Sequence, residues 1–418
     1  MLKDELMDGN EVPMGLLEFL TKLGKALASA GISVVDVTSI LKRIASAYHV
    51  KSEILVFPTM ILIKLGEHES APVTAANPKP GLIPLNQVSE LYELIYRAED
   101  AAIDPRDGVK CIKRILSEKH LFGPIGMIVG YILFSVGIGL LMQPSPEQLI
   151  ASGILGALVG TLILFGEKRS RFSVILPVIA ALLVSCLFFW GVKAGLVAGS
   201  FVMLIPSLAY FLPGATLTTG MFELASDEIV SGASRVIYGA AILLLLLFGV
   251  LLGLQIMGLP SQELIVLNSA TLGWWAPYLG ILIFGIGMYL FMSIRNNDLP
   301  WVLLILYVAF IGEQIGNYLI GGFFGGFLGS FLMAVSGTII EKSEHKTPSF
   351  VSILPAFWVL VPGSLGFISL ATLAGQNFSA SVTSGLLMIL TIVSISLGLL
   401  VGAVVMEPLK NKKIVKWF

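Results

Sequence analysis

Two short runs of small and hydroxylated residues, and one lone acid, interrupt stretches of this chain otherwise suited to hydrocarbon. Pro213-Gly214 is followed by Ala215, Thr216, Thr218, Thr219 and Gly220, and Pro362-Gly363 is followed by Ser364 and Gly366. Proline cannot donate its amide and clashes with the preceding turn, so a helix kinks or unwinds at each step. A half-helix restarting there offers free N–H groups and a partial positive charge, chemistry suited to a carboxylate. The residues expected to bind a small substrate are therefore Pro213, Gly214, Thr216, Thr218, Thr219, Pro362, Gly363 and Ser364. The plainer reading is a pair of proline kinks satisfied by neighbouring Ser and Thr side chains. The recurrence of the pattern favours the site.

Glu313 lies within VLLILYVAFIGEQIGNYLI, with Gln314 beside it and Asn317 on the same helical face. Intramembrane carboxylates are expensive and usually functional. The expectation is a mid-span carboxyl that binds and releases a proton, with Gln314 and Asn317 lining a cavity. The plainer alternative is a structural carboxylic acid bonded to unwound backbone. Glu223, Asp227, Glu228 and Arg235 read as a solvated cytoplasmic loop. Asp227 or Glu228 is the alternative partner for a substrate amine, which would make Asp227 cavity-lining. His49 and Glu53 form an H-x-x-x-E spacing that invites a metal or hydrolase reading. They straddle a helix–strand junction, and no second His/Asp cluster accompanies them. The expectation is no catalytic role, no metal and no cofactor.

These residues need elements to position them. The chain has 418 residues, 56% hydrophobic and 13% charged, with 44 glycines. Its mean hydropathy of +0.90 marks a polytopic helical membrane protein. The net charge of −1 points to no nucleic-acid partner, and two cysteines make no disulfide framework. The start MLKDELMDGNEVP lacks the apolar core of a cleavable signal, so the N-terminal segment is expected to stay cytoplasmic. Residues 1–118 hold 13 Lys/Arg and 16 Asp/Glu, whereas 120–418 hold 12 and 11. A small α+β cytoplasmic domain at 1–119 is thus expected before a membrane domain. Within it, residues 14–48 read as two amphipathic helices, with Ser33 or Asp36 as a cap. Residues 54–66 read as two strands around Pro-Thr, 71–86 as a loop, and 87–101 and 105–119 as helices, the last started by Asp104-Pro105.

The membrane domain is written twice. Residues 200–214, SFVMLIPSLAYFLPG, recur as SFVSILPAFWVLVPG at 349–363, and Gly249 and Gly253 recur as Gly398 and Gly402 at the same offset of 149. Spans of about 20 apolar residues fall near 122–142, 148–166, 172–190, 194–222 and 235–253. A second set falls near 274–294, 301–319, 320–340, 349–372 and 381–406. Ten crossings place Lys168, Arg169, Arg171, Arg235, Arg295, Lys342, Lys346, Lys410, Lys412, Lys413 and Lys416 on the cytoplasmic side, and only Lys193 outside. Five spans per copy invert the second copy, giving a 5+5 inverted repeat: 120–255, then 270–407, then a basic tail at 408–418. Gly321, Gly325 and Gly329, with Gly322 and Gly326, read as a close packing face, compatible with a homo-oligomer. Trp274, Trp275 and Trp301 read as interfacial anchors.

GKALASAGISVVDVTSILKRIASAYHV followed by ILVFPTMILI resembles the cytoplasmic domain of the threonine/serine exporters. LIPSLAYFLPGATL with SGASR, and ILPAFWVLVPGS, resemble that family's paired membrane signatures. The resemblance runs from about residue 14 to 406, in the order of the fused single-chain members. It implies proton-coupled export of threonine and serine across a bacterial or archaeal inner membrane, with both termini cytoplasmic. Split relatives imply the alternative of a dicarboxylate exporter, which would need basic residues near the site. A membrane-anchored hydrolase using His49 and Glu53 is the alternative of another class.

Overall fold

The computed structural model describes residues 13–68, 71–79, 81, 83–166, 170–259, 272–321, 324–343, 347–360, 362–374 and 378–410. Lys168, Arg169, Gly322, Lys346, Lys412, Lys413 and Lys416 lie outside these residues, as do the side chains of Arg171, Pro362, Gly363 and Lys410. The chain divides into two compact units. One runs to Lys119 and takes in Ser226–Ser231; the other comprises His120–Ala225 and the chain from Gly232 onward.

In the first unit the apolar spacing yields helices α1 (Leu16–Ser29) and α2 (Val34–Ala47), with Leu16, Phe19, Leu20, Leu23 and Leu27 all buried. Gly31 turns the chain at φ 86, a conformation that glycine adopts without strain. The Ser33 hydroxyl caps α2 by accepting the Asp36 amide at 3.1 Å. Strand β1 (Ser52–Phe57) pairs antiparallel with β2 (Met60–Leu65) across the Pro-Thr turn. A third strand, β3 (Val73–Ala76), pairs with β2 inside the stretch expected to be loop. Four residues are too few for a periodic signal, and the open edge of β2 recruits them. Helices α3 (Leu85–Glu99) and α4 (Pro105–Ser117) follow, and the Asp104 carboxylate caps α4 on the Arg106 amide at 2.8 Å. The inner face of the sheet is Ile54, Val56, Ile61 and Ile63, all buried. A Cβ on Gly24 of α1 would lie 2.9 Å from Leu41 and 3.3 Å from Ile61, so α1 seats closely on both α2 and the sheet.

The second unit holds α5 (Gly123–Leu141), α6 (Pro146–Gly166) and α7 (Ser170–Lys193). A broken segment follows: a 3-10 turn (Phe201–Leu204), α8 (Ile205–Leu208), a second 3-10 turn (Ala209–Phe211) and α9 (Gly214–Ala225). Next come α10 (Ile229–Met257), α11 (Ala276–Phe291), α12 (Leu299–Leu319) and α13 (Phe324–Lys342). The last run is α14 (Ser349–Ile353), α15 (Ala356–Val359), α16 (Pro362–Ala374) and α17 (Phe378–Lys410). Among the described residues eight helical runs are long and apolar enough to cross a bilayer, nine if the bent segment counts as one. Helix α11, on which the sixth expected span (274–294) falls, has 16 residues. At 1.5 Å per residue it reaches about 24 Å, short of a core about 30 Å thick.

Small residues set the packing. Helices α5 and α11 cross antiparallel at backbone contact: Gly130 meets Gly287 and Gly137 meets Gly280, where added Cβ atoms would lie 2.9 and 2.8 Å from the opposing carbonyls. Phe134 and Phe284 face each other between these crossings, ring centroids 5.3 Å apart. Gly130 and Gly280, Phe134 and Phe284, and Gly137 and Gly287 are each 150 positions apart, so this surface packs against its own counterpart. Gly249 and Gly253 seat α10 on Val178, Ala181 and Ser185 of α7. Gly398 and Gly402 seat α17 on Phe327, Ser330 and Ala334 of α13, every partner 149 positions on. Gly325 and Gly329 press α13 onto α12 at Asn317, Gly316 and Gly312, and Gly326 turns to Ile395 of α17. Thr347 donates to Asp298 at 2.8 Å, tying the loop before α14 to the start of α12.

Candidate functional site

The first break is a sharp one. Leu212 is extended (φ −68, ψ 123) and the arms on either side are bent by 63°. The cause is chemical: the carbonyl of Ala209 would bond residue 213 in a continuing helix, and Pro213 has no amide to give. The second copy departs from the expectation of an equal kink. Residues 349–360 and 362–373 together make one apolar span, interrupted after Ile353 and after Val359, and among the described residues only the first break is bent by more than 40°. Pro355 precedes α15 and Pro362 opens α16, positions where a missing amide costs little.

Both restarts face one cavity. Gly214 and Ala215 reach it from α9, Ser364 from α16, and Phe357 and Trp358 from α15. Ala209 and Leu212 close it from before the bend. The cavity measures about 20 Å³, room for roughly one water and too little for an amino acid. Two aromatic donors hold the carbonyls beside it. The Tyr131 hydroxyl donates to Ser207 at 2.8 Å, and the Trp358 indole N–H donates to Ala209 at 2.9 Å. Trp358 and Ala209 are 149 residues apart, the same position in the two copies.

The expected substrate residues divide accordingly. Gly214 and Ser364 line the cavity. Thr218, one turn beyond Gly214, is fully buried; its hydroxyl has no hydrogen-bond partner and its carbonyl accepts the Ser396 hydroxyl at 3.0 Å. Thr216 and Thr219 are half-buried, Pro213 is buried beside Gly239, and Pro362-Gly363 begins α16. Asp227 occupies an exposed left-handed turn (φ 65), and Gln314 and Asn317 are exposed near the end of α12. None of the three is among the cavity-lining residues. Glu313 is half-buried in the last third of α12 rather than at its middle. A Cβ on Gly329 would lie 3.2 Å from the Glu313 amide nitrogen and 2.9 Å from Leu360, so the acid's backbone adjoins the interruption before α16.

One reading is overturned. Glu223 and Arg235 are not loop charges in water: Glu223 is fully buried, and the Arg235 Nε donates to its two oxygens at 3.0 and 2.9 Å. Helices α9 and α10 cross at Gly220 and Gly232, where a Cβ on Gly232 would lie 2.5 Å from the Gly220 carbonyl. That approach excludes water from Glu223 and leaves Arg235 only a small exposed area, and each charge is tolerated because the other compensates it. At the counterparts of Gly220 and Gly232, Ser369 and Ser381 exchange hydroxyl bonds to each other's carbonyls, each 2.8 Å. In the other unit His49 is exposed in a left-handed turn (φ 58), while Glu53 faces Lys64 across the hairpin at 3.4 Å. Among the described residues no group of three or more His, Cys, Asp or Glu is placed to hold a metal ion.

Sequence reasoning missed Ala209, Trp358 and Tyr131. The signal was present for the first two: aligning the copies sets a methyl group opposite the largest side chain.

Comparison with known proteins places these features. The family profile described as "Putative threonine/serine exporter" matches residues 18–257, a stretch that includes the bent segment and the Glu223–Arg235 pair. Pheromone-regulated membrane protein 10 of Kluyveromyces lactis is 24% identical over 94% of this chain and 44% of its own length. Its counterpart from Eremothecium gossypii is 23% identical over 94% of this chain and 57% of its own. The protein of that name from Saccharomyces cerevisiae S288c is 24% identical over 79% and 91%. The chain thus spans about half the length of the first two relatives. No solved structure matches it. A profile covering more than half of its residues, over both the cytoplasmic-type sequence and the first membrane signature, makes the chain a member of the threonine/serine exporter family.

Proposed function

We propose that this protein is a secondary transporter that exports small hydroxy amino acids, threonine and serine, coupled to protons. The observation that carries the reading is that Gly214 and Ser364, at the two helix restarts, line one and the same cavity. The substrate carboxylate sits at the N-terminal end of α9, and the substrate hydroxyl meets Thr216, Thr218, Thr219 or Ser364. Glu313, whose backbone adjoins Leu360 across Gly329, carries the proton. Ten spans in a 5+5 inverted repeat provide the moving frame. The antiparallel crossing of α5 on its own counterpart α11 supports that arrangement. The charge bias supports cytoplasmic termini, with domains at 1–119, 120–255 and 270–407 before the tail at 408–418. The resemblance to the exporters supports the cytoplasmic membrane of a bacterium or archaeon, although the relatives above are yeast proteins.

Among the described residues no basic side chain lines the cavity, which weighs against a dicarboxylate. The test is a substrate panel in proteoliposomes, scoring serine and threonine against succinate. Uptake of succinate alone would sink the amino-acid assignment.

A further inference from the structure

We infer that Trp358 is the gate of the cavity and a determinant of what it accepts. Its indole N–H occupies the Ala209 carbonyl that the ammonium or hydroxyl group of a substrate takes when the cavity opens. The identity of the substrate rests on the transporter reading; the gate itself does not.

Four observations converge. Pro213 leaves the Ala209 carbonyl without its helical donor, so that oxygen needs another. It accepts the Leu212 amide at 3.2 Å and, from the other copy, the Trp358 indole at 2.9 Å. A carbonyl has two lone pairs, and both are then used. The residue opposite Trp358 is alanine, which has no donor to return, so the latch has one moving side. The rings of Phe357 and Trp358 fill the space that leaves about 20 Å³. No amino acid enters until the indole withdraws, and withdrawal frees one of the two lone pairs of the Ala209 carbonyl, the Leu212 amide keeping the other, for a donor on the ligand to refill. A ligand with N–H or O–H groups is therefore selected over an apolar one of equal size. Phe134 meets the Trp358 ring edge-on with centroids 6.2 Å apart, fixing its resting position from α5.

The experiment uses the full chain in proteoliposomes, with Cys111 and Cys186, its two cysteines, replaced by alanine. Ser364→Cys reports the cavity through its rate of labelling by a water-soluble methanethiosulfonate. Trp358→Phe keeps an aromatic ring and removes the N–H. It is expected to speed labelling about fivefold, the effect of one net hydrogen bond on an open–closed equilibrium. Equal rates in monodisperse protein overturn the gate. Saturating serine is expected to slow labelling in both forms. If Trp358→Phe still labels faster and serine gives no protection, the gate stands and the amino-acid assignment falls. Should Trp358→Phe not fold, Phe134→Leu, which removes the edge-on ring contact that holds the indole, takes its place. It is expected to speed labelling of Ser364→Cys as well, and unchanged labelling in monodisperse protein overturns the proposal.

Discussion

Glu223→Gln is the most informative perturbation of this fold, because it removes one charge and almost no volume. The Glu223 side chain is 0% exposed and that of Arg235 13% exposed, so water replaces the lost partner poorly. Removing one member of a buried ion pair typically costs about 3–5 kcal/mol, most of it the penalty of leaving the other charge uncompensated. The same logic predicts that Glu223→Leu combined with Arg235→Met lies within about 1 kcal/mol of the parent, since apolar replacement of both is often neutral. Asp107→Asn provides the control. Its pair with Lys110 is 61% and 78% exposed, and water and salt screen such a pair until it contributes little to stability. Reversible unfolding in mixed micelles titrated with SDS measures all three. A Glu223→Gln loss no larger than that of Asp107→Asn would refute burial as the source of the pair's importance. A double variant as unstable as the single would refute charge compensation.

Glu313→Gln is expected to abolish gradient-driven export while leaving counterflow exchange intact, and an unchanged pH dependence of transport removes the proton role. Pro213→Ala with Pro362→Ala is expected to cut transport, with most of the effect from Pro213→Ala alone because only that break bends by 63°. Normal export by the double variant removes the broken-helix site. In the first unit, burial, then the hydrogen bond and charge of Glu118, raise the Glu90 carboxyl above its ordinary 4.5, against the pull of Arg114. A raised carboxyl binds its proton more tightly in the folded state. The folded state therefore loses stability as pH rises from 4.5 through the raised value. Glu90→Gln is expected to strengthen hydrogen-exchange protection of α3 and α4 at neutral pH but not below about pH 4; equal protection at neutral pH sinks the argument.

The elements with a strong period were legible. The leucines of α1, the Asp104-Pro105 start of α4 and the apolar helices of the second unit all follow from spacing and caps. Strand β3 was not, because tertiary pairing with β2 outweighs four residues of weak propensity. The site was half legible. Proline and glycine announce the breaks, yet not that Pro362 opens a helix while Pro213 bends one, since the two differ in what precedes them. The Glu223–Arg235 pair was hidden because charge near a helix end reads as solvation. What buries it is the Gly220–Gly232 crossing, a property of two helices together.

The face-to-face meeting of Gly130, Phe134 and Gly137 with Gly287, Phe284 and Gly280 has a consequence for how such a protein can diversify. Two identical half-chains meeting on that surface would have to carry every change twice. Tyr131, whose hydroxyl holds Ser207, would recur, yet here its counterpart is Ile281. Two tryptophans at the Ala209–Trp358 position would collide, and two alanines would leave a hole. Joining the halves into one polypeptide releases them from that symmetry: the tyrosine, the tryptophan and the acid can each be written once.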